Sequence, residues 1–113
     1  MKSPVVEVVS FGGEQRYQRL LAGVPGTHGM RSGYVVLRPQ ESVGEHSTEG
    51  KEEAIIILEG SVQVVVNGKP ECMAGRGQLV YIPPHTIHDM INAGPVPARY
   101  VYVVAPVPGK TTC

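Results

Sequence analysis

The sequence predicts an all-β domain of sandwich or barrel type, and three observations predict it. Short apolar runs recur about every ten residues with turn signals between them. Gly and Pro number 14 and 10 in 113 residues, a share that suits many short strands and tight turns. No convincing segment of ten or more residues carries the 3.6-residue period of an amphipathic helix.

Val5-Val6-Glu7-Val8-Val9 reads as a first strand, ended by Gly12-Gly13. Glu14 to Leu21 fits a single helical turn or another strand, and the pattern does not decide between them. Val24-Pro25-Gly26-Thr27 is a turn. Gly33 to Arg38 is a strand that stops at Pro39. Glu45 to Thr48 is short and polar. Glu53 to Glu59 is a strand apolar on nearly both faces, broken by Gly60. Ser61 to Val66 places Val62, Val64 and Val66 on one face. Asn67-Gly68 follows, the dipeptide that supplies both positive φ angles of a type I′ hairpin turn. Gln78 to Ile82 is closed by Pro83-Pro84, and His88 to Asn92 is another strand. Arg99 to Ala105 is the last, with Tyr100 and Tyr102 on one face and Val101 and Val103 on the other.

The length gives one domain, residues 1–113, able to bury about two-thirds of its unfolded surface. Ten basic residues balance ten acidic ones, so no charge excess points to nucleic acid or to an anionic membrane. The longest apolar run, Ala54 to Leu58, is far short of the ~18 residues a span needs. The N-terminus has no signal-peptide core. Cys72 and Cys113 form no C-x-x-C spacing, are too few for a disulfide framework and read as free thiols. These features together predict a soluble cytoplasmic protein.

The chemistry concentrates in two segments that hold three of the four histidines, Gly44 to Gly60 and Gly77 to Asn92. Imidazole and carboxylate together suit a divalent transition metal. His28 stands apart in a polar loop and is expected to face solvent.

The two segments resemble the paired motifs of the cupins, small β-barrels of jelly-roll, or double-stranded β-helix, type. The family's first motif is Gly, five residues, His-x-His, three or four residues, Glu, six residues and Gly. His46, Glu53 and Gly60 take the first His, the Glu and the closing Gly. The second motif is Gly, five residues, Pro-x-Gly, two residues, His, three residues and Asn, and Gly77, Pro83, His88 and Asn92 fit it at every spacing. The resemblance covers about residues 33–105. Thr48 stands where the family has its second His, Gln40 where the first motif begins with Gly, and His85 where the second has its turn Gly.

The resemblance implies one divalent metal (Fe, Mn, Ni, Cu, Co or Zn) held by His46, Glu53 and His88, with the fourth family ligand missing. Two His and one carboxylate can still be complete, as in the facial triad of non-haem Fe(II) oxygenases. Glu52 is the rival of Glu53, since adjacent strand residues face opposite ways and only one can reach the site. His85 is the other alternative ligand, although its place suits a turn residue with positive φ. Thr48, Met90 and Asn92 are expected to line the pocket, Thr48 because residues i and i+2 share a face with His46. Tyr34, Tyr81, Tyr100 and Tyr102 read mainly as barrel and interface filling, each able to offer a hydroxyl to a pocket.

Three functions compete: a metal-dependent oxygenase, isomerase or decarboxylase acting on a small organic molecule; a non-catalytic module that binds a metal or small ligand; and a structural barrel without metal. A homodimer is expected, with Val5 to Val9 against the second subunit, because open sheets leave edge strands that invite pairing.

Overall fold

A computed structural model describes residues 5–109. Nine strands form, in the order β1 (Tyr17–Ala22), β2 (Arg31–Leu37), β3 (His46–Ser47), β4 (Lys51–Glu59), β5 (Ser61–Val66), β6 (Lys69–Gly75), β7 (Leu79–Ile82), β8 (Ile87–Ile91) and β9 (Ala98–Pro106). They make a five-stranded sheet, β1-β2-β9-β4-β7, facing a four-stranded one, β3-β8-β5-β6. Every pairing is antiparallel. No helix long and apolar enough to cross a membrane occurs among the described residues.

Alternation along the strands builds the core. Val35 and Leu37 on β2, Ile55 and Ile57 on β4, and Ala98 and Tyr100 on β9 are buried against Val62 and Val64 on β5 and Met90 on β8. The strand 53–59 is less two-sided than its composition suggests. Glu53, Ile55 and Ile57 are buried while Ala54, Ile56 and Leu58 are only half-buried.

The hairpin at Asn67-Gly68 forms as its sequence requires, with φ of 51° and 76°. It delivers β6, a strand of Lys, Pro, Glu and Cys whose residues carry little strand propensity. Edge position tolerates such a sequence. Gly60 ends β4 with φ of 73°, and a Cβ there would lie 2.6 Å from the Pro97 carbonyl oxygen. A side chain would force apart the β4–β5 turn and the start of β9.

Two expectations about the N-terminal region need correction or completion. Val5 to Val9 forms no strand: Val5, Val6 and Val8 are 83%, 89% and 92% exposed. Its β-branched composition favours extended backbone, but propensity gives no strand without a neighbour to pair with. The open choice at Glu14 to Leu21 resolves as strand from Tyr17 onward, paired with β2. The segment before it is tied down by Arg99, which donates to both carboxylate oxygens of Glu14 at 2.8 Å, and Phe11 packs on Tyr34.

Candidate functional site

His46 and His88 are directly opposed across β3 and β8. Their ring centroids lie 4.2 Å apart. Glu53 comes from β4 in the facing sheet, so the three residues meet across the sandwich and not on three neighbouring strands. One donor atom from each lies within 4.8 Å of the others, the one such grouping of three or more potential ligands among the described residues.

The backbone sets the direction of both rings. His46 Nδ1 lies 2.8 Å from the Gly44 carbonyl oxygen, and His88 Nδ1 lies 3.1 Å from that of Thr86. A carbonyl only accepts, so both Nδ1 atoms carry hydrogen and Nε2 of each ring is the nitrogen left for a ligand. Imidazoles that ligate metals are commonly oriented by such a bond from the other ring nitrogen. His88 Nε2 meets Glu53 Oε1 at 3.0 Å. Burial alone would push the His88 imidazole down. The hydrogen bond to Glu53, the Thr86 carbonyl and the charges of Glu53 and Asp89 outweigh it, so the ring stays protonated to higher pH than an ordinary histidine.

A cavity of about 310 Å³ opens above these residues. Val35, Val43, Met90 and Val104 give it apolar walls, Tyr17, Tyr100 and Tyr102 an aromatic side, and Arg31, Lys51 and Glu49 charged groups. Tyr17 and Tyr102 stack with planes 14° apart, and their hydroxyls share a 3.0 Å hydrogen bond. Gly33 makes this possible, since a Cβ there would lie 2.6 Å from the Tyr17 ring and 2.7 Å from that of Tyr102.

The other expected site residues separate. Met90 lines the cavity. Thr48 does too, but its hydroxyl is engaged elsewhere: it donates to the Pro83 carbonyl at 2.7 Å and accepts from the Thr86 N–H at 3.0 Å. It is a clamp between the end of β3 and the proline turn that carries His88. Asn92 is no pocket residue. Strand β8 ends one residue before it, and its amide is fully buried, donating to the Leu37 and Val96 carbonyls and accepting from Gly94 N–H. It holds the β8–β9 connection against the end of β2.

Glu52 faces outward and accepts a hydrogen bond from the Tyr81 hydroxyl at 2.8 Å. His85 has φ of 56° and is exposed on the proline turn, outside the cavity. His28 is exposed as expected. Arg31, Lys51 and Tyr17 were not singled out by sequence as pocket residues. The alternation of β4 puts Lys51 on the face of Glu53, but Arg31 reaches the cavity only through pairing across β9, which no local pattern reveals.

The cupin domain family model matches residues 33–104. The chain belongs to the cupin family. This cupin is 33% identical over 96 residues to "Tetracenomycin polyketide synthase protein TcmJ" of Streptomyces glaucescens, covering 85% of this chain and 63% of that protein. It is also 33% identical over 86 residues to "Protein SchB" of Streptomyces halstedii, covering 74% and 62%. The chain thus spans less than two thirds of the length of these relatives. Among solved structures, an RmlC-like cupin of double-stranded β-helix fold from Methanocaldococcus jannaschii superposes with a TM-score of 0.72 at 17% identity, covering 92% of this chain and 94% of that one. The jelly-roll barrel expected from the motifs is the fold of this chain.

Proposed function

We propose that this cupin binds one divalent transition metal through His46, Glu53 and His88 and acts on a small organic molecule held in the cavity above it. The observation that carries the reading is the pair of imidazoles held through Nδ1, with His88 Nε2 on the buried Glu53 carboxylate from the opposite sheet and one donor atom of each of the three residues within 4.8 Å of the others. Two neutral nitrogens and one carboxylate suit Fe, Mn, Co, Ni, Cu or Zn and leave coordination positions for a ligand. A buried carboxylate against imidazole is also a site where an added dication relieves the cost of burying charge.

When bound, such a metal supplies Lewis-acid polarisation of a ligand oxygen, and with a redox-active ion it supports oxygenase chemistry. The chain's own groups do the rest. Glu53 holds the buried His88 ring by a 3.0 Å hydrogen bond to its Nε2. Tyr17, Tyr100 and Tyr102 give an aromatic wall, and of the hydrogen-bonded Tyr17 and Tyr102 hydroxyls one keeps a hydrogen to donate to a ligand oxygen. Val35, Val43 and Met90 keep the floor dry. TcmJ is by name a polyketide synthase protein, and a conjugated, oxygen-bearing molecule of polyketide type suits this wall. We further propose that the chain is a single domain, works as a homodimer in the cytoplasm and takes no nucleic-acid or membrane partner. Cys72 is a free, exposed thiol, in keeping with a reducing compartment. Cys113 lies outside the described residues.

The test is metal-dependent turnover. The full chain, stripped and reloaded with each of Fe(II), Mn, Co, Ni, Cu and Zn, is assayed for oxygen uptake and for product by mass spectrometry across phenols, 1,3-dicarbonyls and keto acids. Turnover with one metal and none after stripping supports the enzyme. Metal uptake without turnover on any of them favours the binding module.

A further inference from the structure

We infer that Arg31 and Lys51 form an anion-binding rim and that the ligand of this cavity is an aromatic or conjugated carboxylate. This deepens the proposed function, since it names the class of molecule that would sit above His46, Glu53 and His88.

The rim is a product of sheet register. Strand β9 lies between β2 and β4, and Val104 is opposite Arg31 on one side and Glu53 on the other. Directly opposed residues share a face, so Arg31, Val104 and Glu53 form one row on the concave face of the five-stranded sheet. Strand spacing separates the Arg31 and Glu53 backbones by roughly 10 Å, and Lys51 lies two residues before Glu53, about 7 Å along β4. All four line the cavity.

These two cations differ from Arg16 and Arg99, each of which is tied to a carboxylate. Among the described residues neither Arg31 nor Lys51 has an ion pair or a side-chain hydrogen bond. Two carboxylates share the cavity with them. Glu53 is engaged with His88, and Glu49, two residues before Lys51 on the loop that follows β3, forms no ion pair with either cation. The rim therefore offers two cations without an ion-pair partner beside a chamber with apolar walls, where a charged hydrogen bond is stronger than in open water. A guanidinium matches a carboxylate with two parallel bonds, and the lysine adds a point charge.

The body of the ligand is set by the adjacent wall. The stacked Tyr17 and Tyr102 rings, brought together over Gly33, present a planar surface that favours an aromatic or conjugated partner. A bare inorganic anion would engage the rim but gain nothing from that wall.

The test uses the full chain, zinc-loaded and, in parallel, chelator-treated, with metal content read by elemental analysis. Binding of 2-hydroxybenzoate and of its neutral amide is measured by calorimetry, and inorganic phosphate is titrated as a competitor. We expect the acid to bind about tenfold more tightly than the amide, and Arg31→Gln or Lys51→Gln each to cost about tenfold for the acid while leaving the amide unchanged. Arg76→Gln, on the exposed surface away from the cavity, is expected to change neither. Equal affinities for acid and amide, or variants that bind both as the native chain does, would overturn the rim. Phosphate matching the acid would overturn the aromatic carboxylate. If zinc is bound and the variants discriminate nothing, the rim fails and the metal reading stands. If no metal is taken up and the variants still discriminate, the rim stands and the metal reading fails.

Discussion

Thr48→Val separates two roles for a residue that the motif pattern and the structure describe differently. Valine keeps the shape of threonine and deletes the hydroxyl, so no cavity opens. Thr48 is 6% exposed, and its hydroxyl joins the Pro83 carbonyl at 2.7 Å and the Thr86 N–H at 3.0 Å. Two hydrogen bonds at about 1 kcal/mol each give a loss of about 2 kcal/mol, more if a partner is left dry. For a domain of this size that lowers Tm by roughly 6–12 °C. The clamp also holds the turn whose Thr86 carbonyl orients the His88 ring, so metal affinity should fall modestly. Thr48→Ser, which keeps the hydroxyl, should lose less than half as much stability. Thermal unfolding of the metal-free chain with parallel zinc titration reads both effects. Equal Tm for Thr48→Val and the native chain would refute the clamp. Unchanged stability with lost metal would show that the hydroxyl serves the centre directly.

Three further outcomes follow from the same geometry. Asn92→Ala leaves the Leu37 and Val96 carbonyls and the Gly94 N–H without their partner, and should cost about 3 kcal/mol in urea unfolding; a neutral effect there would contradict its role as a connector. The raised His88 pKa has a definite sign. In the metal-free chain its contribution is full below the unfolded histidine pKa and is lost as pH rises through the folded one. Metal binding needs neutral imidazole and runs the other way. The Tm gain on adding zinc should therefore widen from about pH 5.5 to about pH 8, and a gain that narrows would be wrong for this site. Light scattering at ~10 μM should give the mass of two chains, with Val5, Val6 and Val8 protected from solvent in the dimer; a monomer mass would remove the partner assigned to that exposed segment.

Much of the barrel was legible because the signals that specify it are local. Asn67-Gly68 dictates its own turn, and alternation in 61–66 and 99–105 sorts the residues of each strand onto two faces. His46, Glu53 and His88 were legible through the spacing of two motifs, while alternation said only that one of Glu52 and Glu53 could reach the site and left Glu52 as the alternative. Other features were hidden because they depend on partners far along the chain. Val5 to Val9 has strand composition but no neighbour within the described chain. Asn92 continues the alternation of His88 and Met90, yet the strand stops first and its amide closes a turn instead. Strand β6 has the composition of an edge, and beyond the Asn67-Gly68 turn no local pattern marks it. Arg31 enters the cavity only because β9 aligns it with Glu53, a relation between residues more than twenty positions apart that no periodicity encodes.

The most direct test of the centre is elemental analysis of gently purified chain beside four variants, followed by anomalous scattering at the edge of the metal found. One divalent transition metal per chain is expected, bonded to His46, Glu53 and His88 at about 2.0–2.2 Å. His46→Ala and His88→Ala should lose it, while Glu52→Gln and His85→Ala should keep it. A native chain that carries no metal and takes none up at neutral pH, or one that loses it with Glu52→Gln or His85→Ala, would contradict the account.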